Sequence, residues 1–271
     1  MRNLAIVLVV LFVIGLGAFA FATGGTPKRE PAAWLTERLI AHRGVWTDGP
    51  EAPEDSLAAF EAAASAGYAV ELDVHLSADG VPVVIHDDDV ERMTGEPGSV
   101  SSMTVAELQE LRLLGGSETI PTLEQALALV DGRVPVFVEI KNEGEVGALE
   151  DAVAARLTAY AGDACVMSFN PFTLARVAEA APEIPRGQLA SAFVGEDLAW
   201  YEKLLLRNLL MNWTSKPDFI SYDLAELPSF GTALQSLRGR PLLGWTAETQ
   251  PERIAAEGLC DAVICNPGAL P

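Results

Sequence analysis

The chain opens on an uninterrupted apolar run, Leu4 to Ala22, 19 residues without a charge. As a helix it would reach roughly 28 Å, the thickness of a bilayer core. Residues 1–22 are therefore expected to be a membrane anchor or a signal peptide, and Ala20-Phe21-Ala22 supplies a small-x-small site for cleavage. A Gly- and Pro-rich stretch follows, so residues 23–37 are expected to be a linker. From Leu39 onward the period changes: short β-branched runs alternate with Ala/Leu-rich stretches, the pattern of parallel β/α units. The candidate strands are Leu39–His42, Ala69–Val74, Val81–His86, Val134–Ile140, Cys165–Phe169, Arg186–Ala190, Phe219–Tyr222, Leu242–Thr246 and Ala262–Cys265. These nine are close to the eight of a β/α barrel, and the expected barrel occupies 38–271.

Helix signals fall between the strands. Ser56 to Ala66 places Leu57, Phe60 and Ala64 on one face and stops at Gly67. Thr104-x-x-Glu107 and Thr122-x-x-Gln125 have capping-box spacing. Asp197 to Trp213 reads as one longer helix, with Trp200, Leu204 and Leu205 expected to pack on the barrel. Residues 88–119, after an early strand, carry turn signals at Gly95, Pro97 and Gly98 and are expected to form a small insertion over the barrel mouth.

Composition adds exclusions. With 18 basic and 38 acidic residues the formal charge is −20, which repels nucleic acid. With 49% hydrophobic residues the chain can bury a core. Cys165, Cys260 and Cys265 read as packing residues, with a Cys260/Cys265 bridge open if the domain is exported, and no zinc spacing is present. Basic residues flank the apolar run on both sides, so topology is not set by charge; the short N-terminal flank favours an exported domain outside the cytoplasmic membrane.

The candidate chemistry sits at strand ends. His42 and His86 each close a candidate strand, and imidazoles at equivalent positions suit proton donation and removal. Period-two geometry puts Glu71 and Asp73 on one face of a strand, and Glu139 and Lys141 on one face of another. Acids gathered there would repel one another unless a cation lay between them, and oxygen ligands suit Mg²⁺ or Ca²⁺. The bland alternative is a rim network in which Glu71 and Asp73 merely pair with Arg43 and Lys141. Asp79-Gly80 reads as a two-residue hairpin turn that would set Asp73 opposite His86, whereas a parallel barrel would run the two strands side by side.

In chain order, His42-Arg43-Gly44, Pro53-Glu54, Glu71-x-Asp73, His86-Asp87, Ile120-Pro121-Thr122-Leu123-Glu124, Glu139-Ile140-Lys141, Ser168-Phe169 and Trp245-Thr246 resemble the hallmarks of the glycerophosphodiester phosphodiesterase family, over about Leu39 to Asn266. The resemblance implies an α/β fold, an irregular TIM (β/α)8 barrel with a small insertion, hydrolysing glycerophosphodiesters to glycerol phosphate and an alcohol. It implies that Glu71, Asp73 and Glu139 hold a divalent cation, Mg²⁺ or Ca²⁺, that His42 and His86 act as general acid and base, and that Arg43 and Lys141 bind phosphate. Glu54 would orient the metal site or the first histidine, and Trp245 would line the substrate site. Two positions depart from the family pattern: Asp55 stands where Asn is usual, and is expected to cap the following helix, and Asn266 replaces an acidic residue.

Two other readings stand beside this one. A phospholipase- or sphingomyelinase D-like enzyme, acting on intact or lyso-lipid, would need an exposed apolar ridge at the barrel mouth. Met93, Val100, Met103 and Val105 in the insertion are too interspersed with polar residues to form one. A catalytically silent, membrane-anchored binding protein would be expected to lack a ligand or a histidine, and none is missing.

Overall fold

The computed structural model describes residues 2–24, 30–142 and 145–271; residues 25–29 of the expected linker lie outside the described residues. Nine strands are present among those described: β1 (Ile40–Ala41), β2 (Ala69–Leu76), β3 (Pro82–Val84), β4 (Val136–Ile140), β5 (Ala164–Ser168), β6 (Arg186–Ala190), β7 (Phe219–Asp223), β8 (Leu242–Ala247) and β9 (Ala262–Cys265). All except β3 are parallel neighbours in the order β1-β9-β8-β7-β6-β5-β4-β2, and pairing of β1 with β2 closes the ring into an eight-stranded TIM barrel. Helices cover the outside: α1 (Arg2–Ala22) precedes the barrel, and α2 (Leu57–Ala66), α3 (Glu91–Thr94), α4 (Val105–Glu110), α5 (Leu123–Val130), α6 (Ala148–Ala159), α7 (Pro171–Ala180), α8 (Trp200–Arg207), α9 (Asn212–Ser215), α10 (Phe230–Leu237) and α11 (Gln250–Ala256) follow.

The helix signals act as expected where they satisfy orphan N–H groups. Ser56 Oγ accepts from Ala59 N at the start of α2, and Gly67 closes it at φ +80°. Thr104 and Thr122 complete both capping boxes. The outer core packs α2, α5, α6 and α7 on the strands, with Phe60, Leu72, Leu123, Val153 and Leu174 buried in one cluster.

The barrel's lower interior is filled by aromatic rings. Phe137 of β4 is fully buried, edge-on to Trp34 at 5.7 Å and to Phe219 of β7 at 6.2 Å, while Leu35 closes the bottom. Phe137→Ala is expected to cost about 3–5 kcal/mol, the cavity cost of a buried ring. The denaturant midpoint would fall at unchanged slope, and a shift below about 1 kcal/mol would contradict this packing.

Four sequence expectations are corrected. The hairpin after β2 is antiparallel, not a barrel step, and its turn has three residues, because Ser77 N donates to Val81 O across Ala78-Asp79-Gly80, with Gly80 at φ +78°. The register therefore slips by one: Val74 faces Val84, and Ile85, not His86, sits opposite Asp73. The long helix expected over Asp197–Trp213 is two helices, α8 and α9, because Leu209 adopts a left-handed φ of +58° between them. Trp200 does not pack on the barrel: it is 77% exposed, and α8 has no fully buried residue. Finally, Asp55 is not the helix cap; Ser56 is, and Asp55 is buried at φ +57°.

Between β3 and α5 the chain folds α3 and α4 around a small separate cluster that includes Val83, Val90, Met93, Val100 and Leu108. Met93 and Val100 face that cluster, so this segment presents no apolar ridge. Cys165, Cys260 and Cys265 are free thiols. The side chains of α1 are described at Val7 and from Leu11 on, and over the described residues no helix is long and apolar enough to cross a membrane. The end of α1 rests on the barrel: Phe21 stacks on Trp213, Phe19 meets Phe230, and buried Thr23 takes hydrogen bonds from Gln235 and Arg238.

Candidate active site

The carboxyl ends of the strands carry a ring of polar side chains. After β1 the chain turns sharply, with Arg43 at φ +57° and Gly44 at φ +83°. A Cβ on Gly44 would stand 2.8 Å from the Ala59 backbone, so only glycine lets this turn lie against α2. The turn aims Arg43 inward: its backbone N donates to Glu71 Oε2 at 3.0 Å, and its guanidinium Nε lies 3.1 Å from Asp73 Oδ2.

Period-two alternation on β2 sends Glu71 and Asp73 into the barrel, and register with β4 places Asp73 beside Glu139. Both carboxylates of β2 are almost fully buried, and Glu139 nearly so. One oxygen from each of Glu71, Asp73 and Glu139 lies within 4.8 Å of the others, a cluster that could hold a metal ion. Lys141 Nζ approaches from the same rim, 2.6 Å from Glu139 Oε1 and 3.2 Å from Asp73 Oδ1. The contacts on Asp73 are ion-pair distances without hydrogen-bond alignment, so both of its oxygens, and Glu139 Oε1, keep unfilled acceptor capacity.

The electrostatics divide this cluster. Burial pushes the Glu71 carboxyl well up, reinforced by the charges of Asp73 and Glu139, and burial likewise raises Glu139. Asp73 is held below the usual carboxylate range: although burial opposes ionisation, Lys141 and Arg43 outweigh it. Lys141 is raised by Asp73 and Glu139 against the pull of burial. Crowded acids that resist full ionisation, oxygen-only donors and unfilled lone pairs fit a hard divalent cation.

The two histidines flank Asp73, whose charge acts on both. His42 Nδ1 lies 2.6 Å from Asn266 Oδ1, while Asn266 Nδ2 donates to Glu248 Oε2 at 2.6 Å. The Glu248 carboxylate fixes the amide orientation, so His42 Nδ1 is the protonated nitrogen and Nε2 keeps its lone pair. Burial, then Arg43, lower the His42 pKa to about 4. His86 Nδ1 donates to Asp87 Oδ1 at 2.7 Å, and Asp87, pulled down to about 2 mainly by hydrogen bonds from Arg92 and His86 against burial, also accepts from Arg92. Burial lowers His86 as well, opposed by Asp73.

The matching family model is the glycerophosphoryl diester phosphodiesterase family, over residues 42–266. The chain belongs to this family. As a glycerophosphodiester phosphodiesterase family member it is an enzyme, a phosphoric diester hydrolase. It is 30% identical over 223 residues to YhdW of Bacillus subtilis, a protein assigned to the same enzymes, covering 78% of this chain and 86% of that one. It is 36% identical over 165 residues to a glycerophosphodiester phosphodiesterase of Caldanaerobacter subterraneus, covering 56% of this chain and 65% of the relative. A phosphodiesterase of Oleispira antarctica, solved with the product sn-glycerol-3-phosphate, superposes with a TM-score of 0.71 at 28% identity, over 87% of this chain and 95% of its own.

Within this family member most of the site residues read from sequence converge: Glu71, Asp73, Glu139, Arg43, Lys141, His42 and His86 surround one volume. Glu54, expected to orient the metal site or the first histidine, meets two guanidinium groups. Its Oε1 accepts from Arg43 Nη1 at 2.9 Å and Arg92 Nη2 at 2.7 Å, so it steers the guanidinium. Trp245 leans edge-on against Phe169 at 5.6 Å beside the site, with Nε1 buried and unpartnered.

The roles of three residues escaped the sequence reading. Asp55 Oδ1 accepts from Asp73 N, and burial with the Asp73 charge raises its pKa. His75, outside the site, lies 3.0 Å from His86 O through Nε2 and so pins the loop that carries His86. Asn266 was visible only as a departure from the acidic residue expected there, yet it sets the His42 tautomer. The spacing from His42 to Asn266 carries no local signal; β1 and β9 must first be neighbours.

Proposed function

We propose that the protein is a metal-dependent phosphodiesterase that hydrolyses glycerophosphodiesters to glycerol phosphate and an alcohol. The observation that carries this reading is the Glu71/Asp73/Glu139 cluster with two cationic side chains and two imidazoles around it. Glu71, Asp73 and Glu139 would hold the ion, Mg²⁺ or Ca²⁺. When bound, that ion would supply Lewis-acid polarisation of a phosphoryl oxygen. Arg43 and Lys141 draw the phosphate to the rim despite the net acidity of the chain, because local charge decides at contact distance.

Proton traffic falls to the imidazoles. His42, neutral above about pH 4 with Nε2 free, accepts the proton of the attacking oxygen. His86, whose Nδ1–H points at the Asp87 carboxylate, is the better supported as a cation and gives a proton to the leaving alkoxide. Asn266→Asp is the discriminating variant. A carboxylate on Nδ1 should raise the His42 pKa by about 1–2 units, moving the acid limb of kcat/KM to higher pH. An unmoved limb would remove His42 from the base role.

The apolar N-terminal helix suggests attachment to a membrane, with the catalytic domain outside the cytoplasmic membrane. Leu11, Phe12, Val13, Ile14 and Leu16 of α1 are all more than half exposed, a surface that lipid would cover. The decisive assay for the activity uses glycerophosphocholine and glycerophosphoglycerol, with and without chelator. No release of glycerol phosphate from either, in the presence of Mg²⁺ or Ca²⁺, would overturn the reading.

A further inference from the structure

Helix α10 is built inside out. Its polar residues Thr232 and Gln235 are buried, while Phe230 is 74% and Leu237 86% exposed and Ala233 lies exposed between them. Positions i, i+3 and i+7 share one face of a helix, so the apolar stripe points outward, the reverse of a helix that covers a core. The inward polar side grips the end of α1. Gln235 Nε2 and Arg238 Nη1 donate to Thr23 O at 3.1 and 3.2 Å, Arg238 Nη1 donates to Thr23 Oγ1 at 2.6 Å, and Arg240 Nη2 donates to Gly24 O at 3.2 Å. Thr23 is fully buried by these contacts, so α1 is seated on the barrel where it ends.

The seating sets a direction. Followed backward from Thr23 to Phe19, α1 passes from Arg238, just beyond the end of α10, to Phe230 at its start, where the Phe19 and Phe230 rings lie 6.0 Å apart. Helix α10 follows β7, so its start lies at the carboxyl rim of the strands, the rim that carries the reacting centre. The helix rises about 12 Å from Phe19 back to Leu11, which carries it past that rim. Leu11, Phe12, Val13 and Ile14 are consecutive and each more than half exposed, so this stretch is apolar and uncovered on every side.

We propose that the outward stripe of α10, with Trp213 of α9 and the end of α1, is a docking surface for a lipid bilayer, and that it holds the barrel with its catalytic rim toward the membrane. It builds on the membrane attachment proposed above. Continuity selects lipid as the occupant: Phe230 touches Phe19, and Trp213, 41% exposed, stacks on Phe21 at 5.7 Å, so where the end of α1 meets lipid these rings meet it too. A second copy of the chain would have to enclose the whole circumference of α1 as well as the stripe, whereas lipid covers both at once. A Trp and Phe beside an apolar stripe are the side chains of an interfacial helix. Charge agrees. Residues 203–217 and 227–240 hold five of the chain's 18 basic side chains and none of its 38 acidic ones, so these segments lack the negative charge that elsewhere repels anionic headgroups.

The test places an environment-sensitive dye on single cysteines of the full chain, in nanodiscs of phosphatidylcholine and phosphatidylglycerol. The background is Cys260→Ser, because Cys165 and Cys265 are buried and Cys260 only partly so. Val13→Cys reports attachment, Ala233→Cys reports docking, and Ala161→Cys, exposed before β5 at the far end of the barrel, is the control. The dye on Ala233→Cys should be blue-shifted relative to the control, quenched by nitroxide-bearing lipid and shielded from iodide. Leu237→Glu, which leaves the contact between Phe19 and Phe230 in place, should reverse that shift without moving the signal from Val13→Cys. Lipid quenching should also be stronger on Phe230→Cys than on Leu237→Cys, and the opposite order overturns the rim-first orientation. A dye on Ala233→Cys that behaves as the control while Val13→Cys stays in lipid overturns the docking surface and leaves attachment standing. Iodide quenching at both positions overturns attachment and docking together. Shielding of Ala233→Cys from lipid and iodide alike, with self-quenching between dyes, overturns the proposal by assigning the stripe to a second copy of the chain.

Discussion

Asp73→Asn is expected to lower kcat by at least about 10³, and chelation of the unmodified enzyme should do the same. Metal-assisted charge stabilisation at a phosphoryl group amounts to several kcal/mol, at about 1.4 kcal/mol per decade of rate. Asp73 is the fully buried member of the cluster, the one carboxylate there held ionised by Lys141 and Arg43, and the charge both imidazoles feel. Its neutral isostere keeps the shape and loses the anion. The remaining pair, Glu71 and Glu139, both have raised pKa values from burial and offer less charge to a cation.

The same cluster makes a pH-dependent prediction whose sign can be worked out. Glu71 has a folded pKa above its unfolded value of about 4.3, so its contribution to stability without metal is present at low pH and is lost as pH rises through the folded value. A cation must displace the proton, so its apparent affinity rises over that window. Thermal unfolding should therefore show a Tm gain on adding Mg²⁺ or Ca²⁺ that grows from pH 5 upward and is absent in Asp73→Asn. A gain independent of pH, or equal in the variant, would place the ion elsewhere.

What could be read in the sequence was whatever local periodicity and strand ends determine. Glu71 and Asp73 share a face by alternation alone, and Glu139 joins them because a parallel barrel brings neighbouring strand ends together. His42 was legible as the end of a strand, though the turn that Gly44 completes was not. What could not be read depends on partners distant in the chain or on a single backbone angle. Asn266 meets His42 only after β9 has closed on β1. The left-handed Leu209 splits a run that looks continuously helical, and with it goes the expectation that Trp200 faces the barrel. One residue more in the turn at Ala78-Asp79-Gly80 moved Asp73 from opposite His86 to opposite Ile85. Even so, His86 reaches the site, because it lies beyond β3 in a loop tied back by His75 and Asp87 rather than on the ladder.

His42→Ala and His86→Ala should each cut turnover by about 10²–10⁴ while leaving the fold and the metal-dependent Tm gain in place. The two differ in what restores them. If His86 protonates the leaving oxygen, an ester whose alcohol departs without help, such as a nitrophenyl phosphodiester, should lose little on His86→Ala and still lose the full factor on His42→Ala. The double variant should be scarcely worse than His42→Ala on that ester, since groups that act on one proton path are not additive. Asn266 sharpens the contrast, because it supports His42 with an amide where His86 has a carboxylate, so the neutral imidazole is favoured at one and the imidazolium at the other. Equal losses on the activated and natural esters for both variants would reverse or abolish this division of labour. Loss of the Tm gain in either alanine variant would instead make that histidine a partner of the ion.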